Sequence, residues 1–77
     1  MNIDDAPSLA KNNLFRLSIK PIAGCYSCMA VFSSEAITQY TDEGTTAMCP
    51  RCKVDAVVAG ESDTDELMRA HMRWFSS

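Results

Sequence analysis

Apolar and polar residues follow two different periods along this chain, and the change of period marks out its elements. Phe15, Leu17 and Ile19 alternate with Arg16, Ser18 and Lys20, the two-residue period of a half-buried strand. Pro21, which lacks an N–H donor, ends that ladder. The apolar run at residues 29–32 passes into Ser33-Ser34-Glu35, where a serine cap permits a short helical turn. Residues 37–41 and 45–48 are rich in β-formers on either side of Asp42-Glu43-Gly44, a hairpin pattern. Helix over 34–40 competes with the first arm, because short apolar runs are ambiguous. Residues 54–59 are apolar except for Asp55 and stop at Gly60, which predicts a strand or extended segment beside the hairpin. Asp55 is expected to bond backbone amides nearby. From Thr64 the period lengthens: Leu67, Met68, His71, Trp74 and Phe75 share one face of a helix predicted over 64–75. Asp63, Asp65 and Glu66 lie at its start and Arg69 and Arg73 later, in the order the helix dipole favours, with Asp65 placed to pair with Arg69. Residues 1–13 show no sustained period and read as a flexible arm, in which 7–10 could form a turn that docks Leu9.

A chain of 77 residues makes one small domain, here 14–77, with too little core to be stable without a staple. Its four cysteines supply one. They form two pairs, Cys25-Tyr26-Ser27-Cys28 and Cys49-Pro50-Arg51-Cys52, each a tight turn that aims two sulfurs at one point. The spacing falls at the upper edge of the range for a two-knuckle zinc site. Four thiolates suit one tetrahedral Zn²⁺ per chain. Gly24, directly before Cys25, is expected to let the backbone approach the metal closely. The N-terminal stretch carries no apolar run of the kind that directs secretion, and no segment is apolar enough to span a membrane. The reading is therefore cytoplasmic, where thiols stay reduced and such pairs hold metal rather than disulfides.

The formal charge is −3, and a zinc tetrathiolate takes it to about −5, which opposes a phosphate backbone. Arg16, Lys20, Arg51 and Lys53 are expected near the knuckles, where they offset the negative centre or, in an alternative reading, form a nucleic-acid-facing patch. Tyr26 is expected to be exposed on its loop, and Tyr26, Arg51, Lys53, Trp74 and Phe75 are the candidate partner contacts. Trp74 and Phe75 are read first as covering the ribbon, as a small core. His71, the only histidine, is read as bonded to a backbone carbonyl, with donation to a thiolate as the competing role. Catalysis is not expected. Four cysteines close the shell that a catalytic zinc leaves open, no His-Glu motif, phosphate loop or GxSxG elbow is present, and Ser62, Asp63 and His71 do not make a triad. The chain is also too short for a thioredoxin-like unit.

One resemblance adds to this. Cys25, Cys28, Phe32, Asp42, Gly44, Thr46, Ala47, Cys49, Pro50, Cys52, Asp55, Ala56 and Val57, with His71 and Trp74-Phe75 behind them, resemble a group of small uncharacterised prokaryotic and phage proteins with rubredoxin-like zinc knuckles. The likeness covers roughly two thirds of the chain and implies a cytoplasmic zinc-ribbon protein, without any established activity. Lys53 stands where many such knuckles have glycine, which predicts a less regular turn after the last cysteine. The expectation is a small metal-bound α+β fold: a zinc ribbon with β-hairpin knuckles and a C-terminal helix. Its expected function is non-enzymatic protein–protein interaction, as an adaptor or inhibitor.

Overall fold

The computed structural model describes residues 1–75; Ser76 and Ser77, the end of the expected domain, lie outside the described residues. Where the sequence suggests a loose arm over 1–13, the chain instead forms a 3-10 turn at Ile3–Asp5, capped by Asn2, and α1, Ala6–Leu9. Ala6 and Ala10 are buried, because small side chains let this segment lie close against the sheet.

The segment after it departs from the predicted strand. Leu14–Ile19 is a helix, α2. Its burial follows the helical period: Leu17 is buried while Phe15 is 74 % exposed. The cause lies one residue earlier. Asn13 is fully buried; its Nδ2 donates to the Val57 carbonyl at 2.7 Å and its Oδ1 accepts from the Ala47 N–H at 3.0 Å. A side chain thereby takes two backbone groups that would otherwise be open to a neighbouring strand. Asn12 adds to the same junction, its N–H donating to Thr46 Oγ1 at 2.9 Å. The Arg16 guanidinium then bonds the carbonyls of Leu9 and Lys11, which fastens α2 to the end of α1.

Two small antiparallel sheets follow. β1 (Ile22–Cys25) lies between β2 (Val31–Ser33) and the later β5 (Val57–Ala59). β3 (Tyr40–Thr41) pairs with β4 (Thr46–Ala47), a shorter hairpin than predicted, although Met48 N–H still donates to Gln39 at 2.9 Å. The turn between them holds Asp42, Glu43 and Gly44 at φ 54°, 61° and 87°, and Thr46 Oγ1 donates to Asp42 Oδ2. Of the competing helix at 34–40 only a 3-10 turn forms, Ser34–Ala36, with Ser33 as its cap. β5 pairs with β1 rather than with the hairpin, and Asp55 is exposed on the approach to it.

The C-terminal helix, α3 (Thr64–Trp74), forms where predicted, with Phe75 as its C-cap rather than its last residue, and Asp63 caps its start through the N–H groups of Asp65 and Glu66. Of the predicted face only Leu67 is buried, joined by Ala70, while Met68 remains 44 % exposed. Arg69 pairs with Glu66 at 3.5 Å, one turn position closer than the Asp65 expected. Gly24 is where α3 meets the sheet: a Cβ there would stand 2.7 Å from the Glu61 carbonyl and 2.8 Å from Leu67 Cδ1. Helix packing, rather than approach to a metal, is what requires this glycine. At the far end Trp74 Nε1 donates to the Ile3 carbonyl at 2.9 Å, and Arg73 lies between Asp4 and the Trp74 ring. No helix among the described residues is long and apolar enough to cross a membrane.

Candidate metal centre

Each cysteine pair sits on a turn of the same construction. In the first, β1 delivers Cys25, and the Cys25 N–H donates to the Ala30 carbonyl at 2.9 Å; in the second, the Cys49 N–H donates to the Val54 carbonyl at 2.9 Å. Ser27 N–H donates to Cys25 Sγ at 3.3 Å, as Arg51 N–H does to Cys49 Sγ at 3.3 Å. The Cys28 and Cys52 amides act on Cys25 and Cys49 in the same way, and the Ala30 and Val54 amides act on Cys28 and Cys52. The residue after each second cysteine takes the left-handed conformation, Met29 at φ 61° and Lys53 at φ 65°. Lys53 therefore does not make its turn irregular; it adopts a glycine-like conformation at some cost.

The predicted hairpin is not what brings the turns together. Pairing of β1 with β5 does that, and it continues past the strand as Tyr26 N–H donating to the Ala56 carbonyl at 3.0 Å. The four sulfurs lie within 4.8 Å of one another. Across the two turns, Cys25 and Cys52 Sγ are 3.6 Å apart, and Cys28 and Cys49 Sγ are 3.7 Å apart. A Zn–S length of about 2.3 Å gives a tetrahedron with edges of about 3.8 Å. The thiols are free, Cys25 and Cys49 buried and Cys28 and Cys52 partly exposed. A donor set of four sulfurs, held by backbone N–H groups that stabilise thiolate, fits a thiophilic tetrahedral metal.

Without a metal, two of the sulfurs favour their protons. Burial pushes the Cys25 thiol far above the usual range despite the Cys28 and Ser27 amides. Burial likewise raises Cys28, opposed by the Ala30 amide. Cys52 goes the other way: burial opposes ionisation, but the Val54 amide and the surrounding thiols outweigh it and hold Cys52 below its ordinary value. Of these three, Cys52 is the one most ready to offer a thiolate.

Around this cluster several expectations change. Tyr26 is not exposed on its loop; it is 5 % exposed, so it belongs to the core rather than to a partner surface. Phe75 lies over it, with ring centroids 5.5 Å apart. Phe75 and Trp74 remain 45 % and 40 % exposed, half covering the domain and half available. His71 does bond a backbone carbonyl: its Nδ1 lies 3.1 Å from the carbonyl oxygen of Tyr26, inside the first turn. A carbonyl only accepts, so Nδ1 carries the proton there. The four basic residues do not form one patch. Arg51 and Lys53 belong to the second cysteine turn. Arg16 lines a groove with Gly60, and Lys20 lies along Gly60, whose N–H bonds Ile22 at the other end of β1 from Cys25. Sequence reasoning missed Asn13 as the residue that joins the two sheets below the cluster; a buried amide leaves no periodic signal. Compared with known proteins, the chain matches no family model, no curated protein and no solved structure.

Proposed function

We propose that this chain is a zinc ribbon in which Cys25, Cys28, Cys49 and Cys52 hold one structural Zn²⁺, and that its folded surface serves a protein partner as an adaptor or inhibitor without catalysis. The observation that carries the reading is the spacing of the sulfurs across the two turns, 3.6 and 3.7 Å, close to the edge of a zinc tetrathiolate. The metal in this role supplies folding energy, on the order of 10 kcal/mol as apparent binding free energy. Four cysteine ligands complete the tetrahedron, leaving no position for a water to be activated. The separation of Arg16 and Lys20 from Arg51 and Lys53 favours a protein partner over a nucleic acid. In the cytoplasm, where this reading places the chain, the thiols remain available to metal.

Native mass and metal content, measured with and without a chelator, test the metal site. One zinc per chain, lost together with secondary structure, is the expected result. A metal-free chain lighter by about four hydrogens (two disulfides) overturns it, and bound iron would keep the tetrathiolate but replace the zinc.

A further inference from the structure

The three-stranded sheet has one edge partly taken by a side chain and one open edge. Along β5 the outward-facing Val57 carbonyl is taken by Asn13 Nδ2 at 2.7 Å. Along β2 the phase of the ladder is set by Cys25 N–H to Ala30 and Ser34 N–H to Pro21, both at 2.9 Å. Bonding alternates in an antiparallel ladder, so Phe32 bonds β1 while Val31 and Ser33 direct their N–H and C=O groups outward. No lysine or proline within Val31–Ser33 blunts this edge. Its side chains add an apolar strip: Val31 and Ile22 are diagonal neighbours on one sheet face and are 40 % and 38 % exposed. Directly beyond Ser33 the chain lines a groove of about 230 Å³ formed by Leu14, Leu17, Ser18, Ser34, Glu35 and Tyr40. That is below the roughly 300 Å³ of small-molecule sites, a size for one apolar side chain.

We propose that the β2 edge takes an extended segment of a partner protein, which adds a strand along Val31–Ser33 and places one apolar side chain in the groove. This names the partner class for the interaction role above and rests on that reading. Two features choose this occupant over a second copy of the chain. The edge is three residues long and six residues line the groove, against about 20–30 residues a side in a stable interface. Charge agrees: the groove carries Glu35 and the chain is net −3, so a second copy repels while a segment with a basic residue at that end is drawn in. The two outward residues limit the added strand to a few hydrogen bonds, so the association is weak and reversible.

Ser33 makes the edge testable. Its φ is −68°, already that of proline, and its N–H is not used inside the fold. Ser33→Pro therefore removes the outward donor and leaves the inner ladder in place, which an unchanged metal stoichiometry and melting temperature would verify. Ser33→Ala is the control; it deletes only the hydroxyl that accepts from Glu35 N–H at 3.2 Å. The probe is the most enriched sequence from a random seven-residue peptide library panned on the metal-loaded chain, then synthesised. The expected result is a peptide of alternating apolar residues with a lysine or arginine. It slows amide exchange at Val31 and Ser33, and loses about tenfold in affinity on Ser33→Pro but little on Ser33→Ala. Glu35→Lys weakens it as well. No enriched peptide, binding that survives Ser33→Pro, or protection confined to other residues overturns the proposal. A doubled native mass that Ser33→Pro abolishes overturns it in favour of a second copy. Peptides that bind elsewhere, and only to the metal-loaded chain, sink this edge but leave the interaction reading standing; a chain without metal sinks the zinc site on its own.

Discussion

Asn13 and Lys53 illustrate how much of this molecule turns on single residues whose identity gives little warning. Asn13 satisfies the Ala47 N–H and the Val57 carbonyl from one side chain. Asn13→Ala leaves both unpaired in a buried site and is expected to destabilise by about 2–4 kcal/mol, read by denaturant titration of the metal-loaded protein. Lys53 is exposed and sits at φ 65°, where an L-residue costs roughly 1–2 kcal/mol. Lys53→Gly is expected to raise the melting temperature by a few degrees, part of the gain being offset by the freedom glycine adds to the unfolded chain. A fall in melting temperature would mean that the lysine side chain makes a stabilising contact outweighing its backbone strain. The cysteines were legible because their chemistry demands a fixed spacing. Asn13 was not, because a buried amide in a polar stretch looks like any loop asparagine until its two partners, 34 and 44 residues away, are known.

At the scale of elements, legibility followed whether burial or local pattern had the final say. α3 was plain in the sequence because its 3.6-residue period and its charge order point to the same element, which Asp63 caps. α2 was misread as a strand because Phe15, Leu17 and Ile19 alternate, yet the exposed Phe15 and Ile19 show that the alternation does not mark a buried face. Both sheets are made of very short strands, β3 and β4 having two residues each, too few to leave a period. What holds α3 to the three-stranded sheet is the bare face of Gly24. Gly24→Ala pushes a methyl into the Glu61 carbonyl and Leu67, and a cost of about 1–3 kcal/mol is expected. Because the carbonyl is backbone, a compensating Leu67→Ala exchange should recover only part of the loss; full recovery would show that Leu67 alone sets the constraint.

For the molecule as a whole, the protonation of the sulfurs links folding to metal. Cys25 and Cys28 have thiol pKa values raised by burial. In the metal-free protein this contributes stability that is present below the unfolded thiol value of about 8.5 and is lost as pH rises through the raised values. Cys52 is lowered and acts in the opposite sense, but it is one group against two. The metal-loaded protein reverses the trend, since protons must leave for the metal to bind and affinity falls as pH falls. Zinc affinity, read by competition with a chromophoric chelator, should therefore fall on acidification from mild alkali. An affinity that stays constant across that range would mean that thiol protons are not displaced on binding.

Trp74 is the only tryptophan in the chain, and its indole N–H is tied to the Ile3 carbonyl at 2.9 Å with the Arg73 guanidinium 4.4 Å above the ring. The one indole of the chain thus marks the junction of the first and last helical segments. Its emission reports whether that junction is closed, while sulfur-to-cobalt absorption reports the cysteine cluster. Two colours of light can follow the helical junction and the cysteine cluster separately, and their order of loss on heating would reveal which lets go first.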